Sequence, residues 1–111
     1  MNESNSYSIL MVNLPFAGHT NPTLGLARVL TDMGHRVTYI HSPAWREAVE
    51  NTGAHFVPYD GYPLFPRPFQ DRMRCWRAAY RTVLRIGAGY DCLLYEMLFV
   101  SGKALADRLG I

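Results

Sequence analysis

One histidine in this sequence stands where a proton-transfer group would be useful. His19 lies within Asn13-Leu-Pro-Phe-Ala-Gly-His-Thr-Asn-Pro22, between an apolar run and a helix start. A neutral imidazole, with an ordinary pKa of about 6.5, can accept a proton near neutral pH, so His19 is a candidate general base. The upstream residues 8–14 read as a short strand buried in a parallel sheet. Downstream, Asn21 is expected to cap a helix and Pro22 to occupy its first turn, where a missing N–H is harmless. Gly34 supplies a left-handed stop after Met33. His19 is thereby expected in a strand-to-helix loop, and such loops at the carboxyl end of parallel strands are where open α/β sheets bind ligands. Phe16 and Gly18, beside it, and Asn21 are candidate ligand-binding residues.

The remaining elements must hold that loop in place. Residues 36–40, rich in β-branched side chains, read as a second strand, and 55–59 as a third, with Pro58 suited to an edge or a strand end. A helix is expected from Ser42-Pro43 to about Asn51, closed by Gly53. A longer helix is expected over 69–86, with Met73, Trp76, Tyr80, Val83 and Leu84 on one face. Residues 90–95 read as a fourth strand and 99–109 as a last helix. Strands and helices thus alternate, which predicts a Rossmann-like parallel sheet with flanking helices and right-handed crossovers, ordered 3-2-1-4.

Composition narrows the function classes. The 111 residues are 49% hydrophobic and 18% charged, an ordinary globular balance that suits one modest core. A formal charge of +2 does not by itself imply a nucleic-acid partner. No signal peptide and no membrane-spanning apolar run is visible, so a soluble, cytoplasmic protein is expected. Cys75 and Cys92 match no metal or redox spacing, and the four histidines show no ligand pairing, so no metal is assigned. His35 reads as structural, and so does His41, although its strand-end position also suits a cleft wall; His55, at the start of the third strand, has no partner in view. The loop 59–68 is aromatic and proline-rich. Its Tyr62 and Phe65, with Trp76, could wall an apolar pocket or simply pin the loop to a helix. Arg67, Arg72, Arg74, Arg77, Arg81 and Arg85 form a basic group around the third helix. Its plainest reading is a solvated face, though acidic residues are not interleaved there.

Two segments carry a resemblance. Phe16-Ala-Gly-His-Thr-Asn-Pro-Thr-Leu-Gly-Leu-Ala27 and Leu30-Thr-Asp-Met-Gly-His-Arg-Val-Thr-Tyr-Ile40 resemble the amino-terminal start of the macrolide-type glycosyltransferases, members of the UDP-glycosyltransferase superfamily with the GT-B fold. Tyr90-Asp-Cys-Leu-Leu-Tyr-Glu96 and Gly102-Lys-Ala-Leu-Ala-Asp-Arg-Leu-Gly110 resemble the same family. The resemblance implies a hexosyltransferase in which the histidine matching His19 deprotonates the acceptor hydroxyl as it attacks the anomeric carbon, with inversion. It implies an acidic partner for that histidine at the end of strand four, here Glu96, where many relatives carry aspartate. It also implies a nucleotide-sugar co-substrate, with a UDP-sugar expected, and neither a metal nor a resident cofactor. The small apolar hydroxylated acceptor would bind this half. The donor would bind mainly to a carboxyl-terminal domain absent from these residues.

On that resemblance residues 1–7 are a disordered amino terminus and 8–111 part of the acceptor-binding domain, the amino-terminal half of a GT-B fold. The expectation is a fragment that is inactive alone. The alternative is a non-catalytic half-domain or interaction subunit that pairs with a separate donor-binding chain. A dinucleotide-binding domain has the same strand order, but it needs Gly-x-Gly-x-x-Gly after strand one and an acid ending strand two. This chain has Gly18 alone and Ile40-His41-Ser42 in those places.

Overall fold

The computed structural model describes residues 6–13, 17–61, 72–95 and 108–110, with backbone only for 17–20 and 72. Four parallel strands, β1 (Ser8–Val12), β2 (Arg36–His41), β3 (His55–Pro58) and β4 (Cys92–Tyr95), lie in the order β3-β2-β1-β4. This is the predicted order, and it follows from how the strands bury their side chains. Alternate residues of a strand point to opposite faces, and β1 divides its side chains between two cores. Ile9 and Met11 pack with Val37, Tyr39 and Phe56 on one face. Leu10 and Val12 pack with Ile40 and Leu93 on the other. A strand apolar on both faces needs helices on both sides.

The helices divide accordingly. Helix α1 (Ala17–Asp32) and helix α2 (Arg46–Glu50) cover the first face through Ala27 and Val49. Helix α3 (Arg72–Ile86) covers the second through Ala78, Ala79 and Val83. The expected second helix is in part a tighter 3-10 turn over Pro43–Trp45, ahead of the five-residue α2. Of the expected last helix, Arg108 and Leu109 are helical, and Leu109 packs on the α3 core; residues 99–107 lie outside the described residues.

Helix α1 starts earlier than expected. It begins at Ala17, so Gly18, His19 and Asn21 are helical and Pro22 lies inside the helix. Asn21 is exposed within it and is not its cap. Pro22 cannot donate a backbone hydrogen bond one turn back. The first N–H groups of any helix lack an internal acceptor, so a proline this close to the start removes only one early bond. The far end matches expectation. Gly34 takes φ 94°, its N–H donates to Thr31 (3.0 Å), and the His35 N–H donates to Leu30 (3.1 Å). Ser6 and Tyr7 are fastened to this turn: Ser6 Oγ donates to the Gly34 carbonyl at 2.9 Å and the Tyr7 N–H to His35 Nδ1 at 3.1 Å.

The buried face of α3 also differs from expectation. Cys75, Ala78, Ala79, Thr82 and Val83 are buried, whereas Met73 is 58% exposed. At about 100° per residue, the buried face is turned roughly a third of a revolution from the stripe of large side chains. Small residues let the helix axis approach the sheet, and the bulkier Trp76, Tyr80 and Leu84 pack only partly against that core. Thr82 tolerates burial because its hydroxyl donates to the Ala78 carbonyl (2.7 Å) and accepts the Asp60 N–H (2.6 Å). Urea denaturation checks this orientation. Ala79→Leu is expected to overpack the interface and cost about 1–3 kcal/mol. Met73→Ala is expected to change stability by less than about 0.5 kcal/mol.

Candidate functional site

A cavity of about 180 Å³ opens where β1 and β4 end at their carboxyl side, against helix α1. Its walls are largely apolar, with Leu26 from α1 and Leu94 and Tyr95 from β4. One corner is polar. Asn13, the residue after β1, donates from Nδ2 to the Tyr39 hydroxyl (3.0 Å) and to Thr23 Oγ1 (3.2 Å). The Thr23 and Tyr39 hydroxyls are hydrogen-bonded to each other. Asn13 and Tyr39 are buried, where an unsatisfied amide or phenol would cost about 1–3 kcal/mol, so the three groups satisfy one another. The cluster ties β1, β2 and α1 together at the cavity floor, and Thr23 follows His19 by one helical turn.

This corner escaped the sequence reading. The available signal was a polar residue, Asn13, closing an apolar strand, but its partners lie 10 and 26 residues away. The expected site residues fall as follows. Gly18 and His19 are in the first turn of α1, the helix that borders the cavity. Asn21 is exposed on α1. Trp76 is on α3, across the sheet, where its ring stacks on Tyr80 at 5.6 Å. Phe16, Tyr62, Phe65 and Glu96 lie outside the described residues. Tyr95, the residue before Glu96, pairs in register with Val12 at the cavity. Among the described residues no group of three or more His, Cys, Asp or Glu side chains could hold a metal ion, and no helix is long and apolar enough to cross a membrane.

His41, at the carboxyl end of β2, is fully buried. Its ring lies 5.4 Å from Trp45, 5.6 Å from Tyr39 and 6.0 Å from Tyr59, centroid to centroid. Nδ1 accepts the Ser42 N–H at 2.7 Å, which leaves the proton of the neutral ring on Nε2. Burial among aromatic rings disfavours the charged form and lowers the pKa to about 4. His41 therefore stays neutral where an ordinary histidine begins to titrate. It packs among aromatic rings and does not line the cavity beside α1.

An open parallel sheet with a cavity outside the carboxyl ends of its strands is the ligand-binding architecture of doubly wound α/β proteins. Comparison with known proteins narrows this class. The chain is 27% identical to the NDP-glycosyltransferase YjiC of Bacillus subtilis, over 95% of this chain and 30% of that protein. It is 38% identical to the oleandomycin glycosyltransferase of Streptomyces antibioticus, over 93% of this chain and 27% of that protein. The crystal structure of CalG4, the calicheamicin glycosyltransferase, superposes with a TM-score of 0.78 at 26% identity, over 96% of this chain and 31% of that one. No protein-family model matches the sequence. The homologues of this chain are UDP-glycosyltransferases, macrolide glycosyltransferases among them, and its sheet is that of GT-B structures. The chain spans about 30% of the length of these relatives.

The buried His41 makes stability depend on pH. Its folded pKa of about 4 lies below the unfolded value of about 6.5, so the unfolded chain binds the proton more tightly between those limits. Its contribution is complete above pH 6.5 and is lost as the pH falls towards 4, by about 3 kcal/mol in all. Urea-unfolding free energies measured from pH 7.5 to 4.5 are expected to fall less steeply in His41→Phe by about that amount. An equal slope in both proteins would place the titration on another group.

Proposed function

We propose that this chain is the acceptor-binding, base-bearing part of an inverting glycosyltransferase, corresponding to the amino-terminal domain of its relatives. The observation that carries the reading is the placement of α1. Its first turn, which contains His19, follows β1 directly, and the same helix walls the largely apolar cavity at the carboxyl end of β1 and β4. An apolar cavity with a few convergent polar groups suits a small hydroxylated acceptor that is otherwise hydrophobic.

In the proposed step, neutral His19 takes the proton of an acceptor hydroxyl as its oxygen forms a bond to the anomeric carbon of the sugar nucleotide. The bond from that carbon to the nucleotide's diphosphate breaks, with inversion, and the diphosphate leaves with the electron pair. Glu96 would orient the ring and stabilise the imidazolium, as a carboxylate does for histidine in other His–carboxylate pairs. Glu96 follows Tyr95, which pairs with Val12 where β1 ends, a register that favours this pairing. Phe16, Gly18, Asn21, Tyr62 and Phe65 remain proposed acceptor contacts, whereas Trp76, on α3 across the sheet, does not line this cavity. A nucleotide-sugar, with a UDP-sugar the proposed donor, would be held chiefly by a further domain. The proposed setting is the cytoplasm, with no metal and no resident cofactor needed.

The test is sugar transfer from a UDP-sugar to a panel of apolar hydroxylated acceptors. The 111-residue chain alone is expected to give no turnover. In the longer enzyme, His19→Ala is expected to lower kcat by about 10²–10⁴-fold, the usual contribution of a positioned base. Glu96→Gln is expected to cause a smaller loss. Robust transfer by the chain alone would overturn the fragment reading, and an unimpaired His19→Ala enzyme would remove His19 from the chemistry.

A further inference from the structure

On the far side of the sheet from that cavity, α3 carries Arg72, Arg74, Arg77, Arg81 and Arg85, and no acidic residue in its fifteen positions. Arg85 is neutralised. Its Nε and Nη2 reach the two carboxylate oxygens of Asp60 at 2.5 and 3.0 Å. The Asp60 N–H is also held by Thr82, so the chain leaving β3 is fastened to α3 at two points. The next residue, Gly61, is left-handed at φ 73°, and its backbone lies close to the helix. A Cβ at that position would stand 2.9 Å from Arg81 Nη1.

The result is a cavity of about 250 Å³ between Gly61 and one face of α3, lined by Arg74, Arg77, Ala78 and Arg81. Arg74, Arg77 and Arg81 recur at the three- and four-residue spacings that align side chains on a helix. Among the described residues Arg77 and Arg81 make no ion pair, and the adjacent carboxylate, Asp60, is already taken by Arg85. Like charges four residues apart on a helix repel each other. Arg77 and Arg81, which line one small space without an ion pair among the described residues, therefore repel each other at a cost that an anion between them would offset. Guanidinium N–H groups match the oxygens of a phosphoryl group in paired hydrogen bonds.

We propose that this cavity binds the phosphate or diphosphate group of a small molecule, with Arg77 and Arg81 as its principal ligands. The site is separate from the cavity beside α1 and does not rest on the transferase reading. Its small size, between Gly61 and one face of α3, favours a compact anion over an extended membrane or protein surface.

Calorimetric titration of the purified protein with pyrophosphate tests this. Saturable one-to-one binding is expected, with a thermal midpoint that rises with ligand concentration. Arg77→Gln and Arg81→Gln, both exposed and both neutral to helix formation, are each expected to weaken binding at least about tenfold, the scale of a lost charge-assisted hydrogen bond. Arg46→Gln, which removes a surface arginine paired with Glu50 elsewhere, is expected to leave it unchanged. A nucleoside diphosphate that binds more tightly than pyrophosphate, with the same losses in the variants, would identify a nucleotide as the source of the group. Equal affinities would identify inorganic diphosphate. No saturable binding, binding unaltered in both variants, or binding only to phosphatidylglycerol vesicles or a glutamate-rich peptide would overturn the proposal.

Discussion

Strand β1 has no solvent side, and the rest of the molecule is arranged around that constraint. Leu10 is fully buried and Ile9, Met11 and Val12 nearly so, with consecutive residues pointing into opposite cores. A strand of this kind has to lie inside a sheet and be covered twice. Strands β2 and β4 flank it in parallel register. Parallel neighbours need crossover connections, and those connections are the covering helices. Burying a side chain such as Leu10 or Ile40 is worth about 1.5–3 kcal/mol, so the central strands hold much of the stability.

The same arrangement explains why the cavity lies where it does. Strand β1 ends at Val12, and the chain returns along α1 over the face that holds Met11 and Tyr39. At the point of departure the apolar layers stop, and backbone and side-chain polar groups must find partners. Asn13, Thr23 and Tyr39 supply them for one another. A satisfied polar cluster at the end of an apolar strand is rigid, since moving any member leaves buried groups unpaired. The first turn of α1 is therefore joined to a fixed floor, a useful property in a helix that carries a proposed base.

On the other face the contacts are smaller and the charges larger. Ala78 and Ala79 bring α3 close to the sheet, which turns its bulkier aromatic residues partly outward and its arginines away from the core. The pairing of Asp60 with Arg85 and the hydrogen bond from Asp60 to Thr82 join the β3 exit to this helix. Both α3 and the His41 cage use residues that composition alone would assign to the surface. Each is accommodated by a particular partner: the Ser42 N–H for His41, the Ala78 carbonyl for Thr82.

Local pattern was enough to read the four strands, their order and the Gly34 helix stop. The strands and the helix stop rest on short-range physics, namely short apolar and β-branched runs and a left-handed position that glycine accepts. The order rests on the alternation of strands and helices with right-handed crossovers. The Gly-His-Thr-Asn-Pro run likewise marked the region of the proposed site. Three matters required the folded chain. The start of α1 ran past the proline signal, because the loss of one early hydrogen bond is small beside the packing of the helix. The buried face of α3 was decided by how closely small residues let it approach the sheet, which the sizes of its own side chains do not reveal. The Asn13–Thr23–Tyr39 cluster, the neutral His41 and the arginine cavity join residues distant in sequence. Their hydrogen bonding, desolvation and charge are properties of neighbours that only the tertiary structure brings together.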